Sequence, residues 1–313
     1  MSAERAGPDG SAATRHIGLD LGATNLKWAV VEHAADEWRT IATGQEPTRA
    51  GGPDAVVPQL GDVARAAFEA WGPATSLGIG VPGLYEPDAG TIVFLVNLRG
   101  AWKGVAVAGP VAAAVGLPTA LINDARAFTL AELRLGAGRG CRTMVGITLG
   151  TGVGGGVAID GRVRLGHKGT AGEIGHQVID PDGPWCGCGT RGCVEAYARA
   201  EQIAHACGTP TVEDAVRAAR AGDPHAIDGL AQVGRYLGIG IANLIIVLNP
   251  ERVVIGGGVA AAGDLLLAPI RQEIVRRVNV TEPAVVAIVV AELGTFAGAI
   301  GAAVYGAERS GTP

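Results

Sequence analysis

The sequence predicts an α/β protein of two lobes, and three observations carry that prediction. Apolar runs of strand length alternate with stretches of helical period along most of the chain. A length of 313 residues is that of about two domains. The segment Asp20-Leu21-Gly22-Ala23-Thr24 resembles Thr148-Leu149-Gly150-Thr151-Gly152, each followed by a strand-like run, which suggests a duplicated lobe.

Residues 1–15 are polar, lack the apolar stretch of a leader peptide, and read as a flexible tail. Residues 16–21 are a buried strand; the turn at Gly22 breaks it, strand character resumes over 25–32, and a third strand over 38–43 completes a meander. Over 54–71, Val57, Leu60, Val63, Ala67 and Ala70 recur at helical spacing behind Pro53, which suits a helix entrance. Residues 76–81 form a short apolar strand ended by Pro82-Gly83. The twenty residues from Gly104 to Asn123 carry no charge, but Pro110, Gly116 and Pro118 interrupt them. They therefore read as a helix over 105–115 and a buried strand over 119–122, and no membrane partner is expected.

A helix over 125–135 follows, then strands over 143–149 and 153–159, the turn Asp160-Gly161 and a strand over 162–165. Residues 166–192 are loop-like, and helices are expected over 194–207, 212–221 and 226–248. The chain closes with strand 252–255, helix 265–278, strand 285–290 and helix 294–305. The interleaving predicts parallel pairs in each sheet and the meanders add antiparallel ones. A small lobe is expected over 16–123, completed by the C-terminal helix of 294–313, and a large lobe over 124–293 that carries the loop 166–195.

Composition removes several function classes. With 48% hydrophobic and 18% charged residues the chain can bury sizeable cores, so disorder is excluded for most of it. Lys and Arg number 25 against 30 Asp and Glu, and no basic stripe offers itself to a nucleic-acid backbone. The 50 glycines, well above the usual share of about 7%, follow no triplet period and must serve turns and close backbone approaches. Three of the five cysteines crowd into residues 186–193, which suits a metal better than disulfides, so a reducing, cytoplasmic compartment is expected.

Five segments carry chemistry. Asp20, Gly22, Thr24 and Asn25 lie at a strand end, where a carboxylate can hold hydrated Mg²⁺ and turn amides can meet a phosphate; the plainer reading is a self-satisfied turn. Thr148, Gly150, Thr151 and Gly152 lie between two strands, without the Gly-Lys-Ser/Thr of a P-loop or the helix of a dinucleotide fingerprint, and read either as a phosphate cradle or as a glycine-rich hairpin. Gly256, Gly257 and Gly258 join a strand to a helix, where a flat base can lie on backbone, or where a tight turn is all that is needed. His176, Cys186, Cys188 and Cys193 supply one imidazole and three thiolates, a closed tetrahedral set for structural Zn²⁺. Asn123-Asp124 stands between a strand and a helix: Asp124 can take a proton from a hydroxyl that Asn123 orients, or simply cap the helix. Asn97, Glu173 and Glu195 are further polar candidates, the two glutamates close in sequence to the zinc ligands.

Together and in this order the motifs resemble the ROK family of sugar kinases and sugar-responsive repressors, within the actin-like ATPase fold, a duplicated ribonuclease H-like architecture. The likeness runs from His16 to about Tyr305 and is strongest in Gly172-Glu173-Ile174-Gly175-His176 and in residues 186–195. It implies an interlobe cleft for a hexose and Mg-ATP, a zinc-binding loop and a homodimer. It implies that Asp124 is the catalytic base, that Gly83, Asn97, Asn123, Glu173, His176 and Glu195 contact sugar, and that the three glycine segments serve phosphate, Mg²⁺ and adenosine. Glucose is the first-choice acceptor, before fructose, mannose, allose and N-acetylhexosamines. Ala23 stands where the family has glycine, Val96 where it has proline, and Arg126 where a small or polar residue is usual. The non-enzymatic alternative, a sugar-sensing regulator, calls for a DNA-binding segment of roughly 60–80 residues before the first strand.

Overall fold

The computed structural model describes residues 13–95, 97–282 and 285–311, so the expectations for residues 1–12, Val96 and residues 312–313 lie outside the described residues. Packing divides the chain into two units. The first comprises Met1–Leu135, Leu165–Thr170 and Thr295–Pro313; the second comprises Gly136–Arg164 and Ala171–Gly294.

The first unit opens with the meander β1 (Thr14–Leu21), β2 (Asn25–Ala34) and β3 (Glu37–Pro47). It continues through α1 (Pro53–Trp71), β4 (Ser76–Val81), β5 (Gly83–Glu86), β6 (Thr91–Leu95), α2 (Ala108–Val115), β7 (Thr119–Asn123) and α3 (Asp124–Arg134). Its five-stranded sheet has the order β3-β2-β1-β4-β7, antiparallel across the meander and parallel from β1 to β7. Apolar residues of β1 and β4, led by Ile17, Leu19, Leu77 and Ile79, pack with Val56, Leu60 and Val63 of α1 in one core.

The second unit holds β8 (Met144–Leu149), β9 (Val153–Ile159), β10 (Arg162–Val163), α4 (Glu195–Ala198), α5 (Ala200–Ala206), α6 (Val212–Arg220), α7 (Pro224–Leu248), β11 (Arg252–Gly256), α8 (Asp264–Arg277) and β12 (Ala287–Val290). Its sheet runs β10-β9-β8-β11-β12, again antiparallel through the first three strands and parallel through the last three. The two sheets thus share one strand order, and Leu21 and Leu149 of the echoed segments both end the middle strand of their sheet. The duplication suggested by five residues is written in the topology. The last helix, α9 (Ala297–Ser310), returns to the first unit.

Several boundaries differ from the sequence reading, each for a tertiary reason. Thr14 and Arg15 pair with His33 and Glu32, so the sheet begins inside the expected tail. The expected lobe boundary at Asn123 falls instead after Leu135, because α3 packs on α9, where a Cβ on Gly301 would lie 1.8 Å from the Ala127 carbonyl. The stretch 165–170 also groups with the first unit, not with the rest of the expected zinc loop. The hairpin β5–β6 was not expected, since Val93 and Phe94 are both exposed and break the alternation that marks a half-buried strand. The helix expected over 194–207 breaks at Arg199, whose backbone is extended, and the amide of Ala200 donates instead to Gly150 O at 2.8 Å.

Among the described residues α7 alone is long and apolar enough to cross a membrane by length and composition. Its Leu230, Val233, Leu237, Ile241 and Ile245 belong to the core of the second unit.

Candidate functional site

In the first unit, Asp20 is the next-to-last residue of β1 and lies opposite Lys27 of β2. Burial pushes its carboxyl above the usual carboxylate range, and the charge of Lys27 opposes that rise. Gly298, at the start of α9, leaves the carboxylate its room: a Cβ there would stand 2.6 Å from Oδ2. The turn that follows is tied by its own backbone, with Gly22 N donating to Asn25 O at 3.1 Å, Thr48 Oγ1 to Gly22 O at 2.7 Å and Thr48 N to Thr24 O at 2.9 Å. Thr24 is exposed and Asn25 half-buried. A desolvated carboxylate beside such a turn is a donor suited to a hard cation, since a cation would hold it ionised.

At the same carboxyl end of the parallel strands, where Asp20 aligns with Gly80 and Val81 with Asn123, Asn123 is the cap of α3. Its Oδ1 accepts from Ala125 N at 3.0 Å and Arg126 N at 3.3 Å, and its Nδ2 donates to Gly83 O at 3.2 Å. Asp124 is therefore not the cap but the first helical residue, half-buried, with Oδ1 also accepting from Ala125 N at 2.8 Å. Gly83 has a φ of +138°, and a Cβ there would lie 2.3 Å from Phe94 O, so the strand can begin beside β6 only with glycine. Leu95 pairs with Gly83 across this hairpin, which leads the chain to Asn97, an exposed residue in the left-handed region at φ +63°. The sugar-site candidates Gly83, Asn97, Asn123 and Asp124 thus lie on the β5–β6 hairpin and the β7–α3 junction that its Gly83 carbonyl meets.

In the second unit the parallel pairing of β8 with β11 sets Thr148 opposite Gly256, so two segments far apart in sequence lie side by side at the carboxyl end of the sheet. Gly257, at φ +97°, lies so close that a Cβ would stand 1.9 Å from Leu149 O. Gly150, Thr151, Gly257 and Gly258 are all exposed there, and Gly258 opens a 3-10 turn over Gly258–Ala262. Exposed amides without side chains at the carboxyl ends of parallel strands are the usual setting for a phosphate.

The four metal candidates converge. The ligand atoms of His176, Cys186, Cys188 and Cys193 lie within 4.8 Å of one another. His176 Nδ1 is 3.7 Å from Cys186 Sγ, and Cys188 Sγ is 3.7 Å from Cys193 Sγ. Zinc–sulfur bonds of about 2.3 Å in a tetrahedron require sulfur–sulfur separations of about 3.8 Å, so the residues fit the ion. Burial pushes the Cys186 thiol up to about 12 and also raises Cys193, whereas the Thr190 amide draws Cys188 down to about 7. A dication at the centre would hold all three as thiolates.

The cluster is tied to both glutamates. Glu173 precedes a 3-10 turn over Ile174–His176 that lies flat on β9; a Cβ on Gly175 would stand 2.1 Å from Val153 O. Glu195 follows two residues after Cys193, and its Oε2 accepts from Val153 N at 2.9 Å while its Oε1 is 3.5 Å from Cys186 Sγ. Sequence reading placed Glu195 near the zinc ligands but missed its contact with the glycine turn at Gly152. It also missed Gly298 as the neighbour of Asp20, for which the only signal was a glycine in the first turn of a helix.

The family model described as ROK family matches residues 16–308. A glucokinase of Streptomyces coelicolor is 36% identical, over 92% of this chain and 96% of its own length. Among solved structures, a ROK hexokinase from Thermus thermophilus matches with a TM-score of 0.81 at 34% identity, covering 95% of this chain and 99% of that one. A ROK glucokinase from Streptomyces griseus, in complex with glucose and AMPPNP, matches with a TM-score of 0.79 at 32% identity, covering 94% and 99%.

Proposed function

This chain belongs to the ROK family, and from that premise we propose that it is a sugar kinase, an ATP-dependent hexokinase that phosphorylates the 6-hydroxyl of a hexose, glucose first. The observation that carries this reading is the division of labour at the β7–α3 junction. Asn123 takes the cap, so the ordinary structural use of Asp124 is already filled by its neighbour. A carboxylate in that position suits a general base. Glucose is favoured by the relative of that name and by the glucose complex of a similar structure.

In the proposed reaction the hexose hydroxyl oxygen attacks the γ-phosphorus, the bond to the β–γ bridging oxygen breaks, ADP leaves, and the hydroxyl proton passes to the Asp124 carboxylate. Asn123 orients the hydroxyl, while Asn97, the segment at Gly83, Glu173, His176 and Glu195 bind the rest of the sugar. Thr148, Gly150, Thr151 and Gly152 bind phosphate oxygens, and Gly256, Gly257 and Gly258 the adenosine. Mg²⁺ accompanying ATP neutralises phosphate charge, and Asp20 with the Gly22–Asn25 turn would hold it. Zinc in the His176, Cys186, Cys188 and Cys193 set has a closed shell and would keep Glu173 and Glu195 in place without entering the chemistry. The working protein is proposed to be a cytoplasmic homodimer.

The test is a coupled ADP-release assay with glucose, fructose, mannose, allose and N-acetylhexosamines, run on the native chain and on Asp124→Asn. The native chain is expected to turn over glucose fastest. Asp124→Asn should keep glucose binding in a titration and lose about 10²–10⁴-fold in kcat. Sugar-independent ADP release by the native chain, or near-normal phosphorylation by the variant, would overturn the reading.

A further inference from the structure

Arg126 is 2% exposed, among the most buried large side chains of the protein. Burying a guanidinium is expensive unless it is hydrogen-bonded where it lies. One of its bonds is specific: Nη1 donates to Asn123 Oδ1 at 2.8 Å. That oxygen already accepts the two cap amides of Ala125 and Arg126. An amide oxygen has two lone pairs, so three donors leave it no capacity for a ligand hydroxyl. A helix cap needs only the backbone donors, and the guanidinium is an addition to it.

Asn123 Nδ2 carries two hydrogens, one of which goes to Gly83 O at 3.2 Å. Reversing the amide would set its NH₂ against three donors on one side and lose the Gly83 contact on the other. Resting on the sugar-kinase reading above, we propose that Arg126 is a positioning residue that locks Asn123 as a pure hydrogen-bond donor toward the acceptor hydroxyl. The remaining Nδ2 hydrogen goes to a lone pair of the sugar oxygen. The hydroxyl cannot give its own hydrogen to Asn123, so that hydrogen is left for Asp124, two residues before Arg126 on the same helical turn. An asparagine free to reverse would accept the hydroxyl hydrogen and hold the sugar bound but unreactive. Positioning of this kind acts on turnover and leaves the affinity for sugar intact.

The experiment compares Arg126→Met, of similar length without a donor, with Arg126→Lys, which keeps charge and a donor. Arg126→Met is expected to lose about tenfold or more in kcat, the scale of one charge-assisted hydrogen bond, with no rise in the KM for glucose or ATP. Arg126→Lys should recover most of that loss. A native kcat in a folded Arg126→Met, or a loss that lysine does not restore and that appears as a raised sugar KM, would overturn the proposal. Because the methionine variant can fail to fold, the native protein supplies an independent readout: nuclear magnetic resonance of the Asn123 side-chain amide. One Hδ2 should shift downfield and slow its exchange when glucose binds without nucleotide, and an amide indifferent to glucose would refute the donor role. A native chain that phosphorylates no sugar would remove the kinase reading itself, whereas normal turnover in an indifferent Arg126→Met removes only this inference.

Discussion

Gly78→Ala tests how the last helix is held on the sheet of the first unit. A Cβ at Gly78 of β4 would stand 1.7 Å from the carbonyl oxygen of Ala302 and 2.5 Å from its carbon, with Gly306 N at 3.2 Å. Carbon and oxygen rest at about 3.3 Å or more, so α9 must retreat by about 1.5 Å to admit one methyl group. Both partners are backbone, and no rotamer can absorb the clash. Overpacking commonly costs 1–3 kcal/mol, and the upper figure, about 3 kcal/mol, is expected here. For a unit of about 150 residues that corresponds to a fall in Tm of roughly 6–12 °C. Trp28, Trp38, Trp71 and Trp102 all belong to the first unit and Trp185 to the second. Tryptophan fluorescence in a Trp185→Phe background therefore reports melting of the first unit alone. Turnover should fall as well, since the same helix places Gly298 against Asp20. A Gly78→Ala melt within about 2 °C of the parent would refute the close helix–sheet packing from which the magnitude is worked.

Metal analysis should return about one zinc per chain, and Cys193→Ser or a strong chelator should lower the Tm of the second unit and weaken turnover through Glu195; well-folded protein without zinc would remove the site. His16 is fully buried against Ser76 Oγ at 2.8 Å, and burial, aided by the charge of His33, holds its pKa down at about 4 against an ordinary 6.5. The folded state accepts only the neutral ring, so stability present above pH 6.5 should fall as pH drops from 6.5 to 4, by about 3 kcal/mol in total. Denaturant melts across that range check this, and a His16→Gln variant with the same acid limb as the parent would refute it.

Parts of this protein are legible without coordinates because the signal is local. The runs at 16–21, 76–81 and 143–149 are mostly apolar, as strands buried on both faces require, and they fold within or around β1, β4 and β8. The ligand spacing from His176 to Cys193 needs only the chemistry of zinc to be recognised. Other features have no local signal. Asn123 and Asp124 are both good caps, and the choice between them lies in the extended backbone of Asn123 at the end of β7. The run Glu195-Ala196-Tyr197-Ala198-Arg199-Ala200 favours an unbroken helix, and a hydrogen bond to Gly150, fifty residues away, breaks it.

By itself, then, the sequence determined the α/β class, the duplicated strand pattern, the His/Cys cluster and the family, because periodicity and motif spacing act over a few residues. Tertiary structure alone decided that α3 packs with α9 in the first unit, that Gly256 lies beside Thr148, and that Arg126 is buried against Asn123. Each of these depends on which surfaces meet when distant segments fold together. Burial and hydrogen-bond partners are properties of that meeting, and no residue carries them alone.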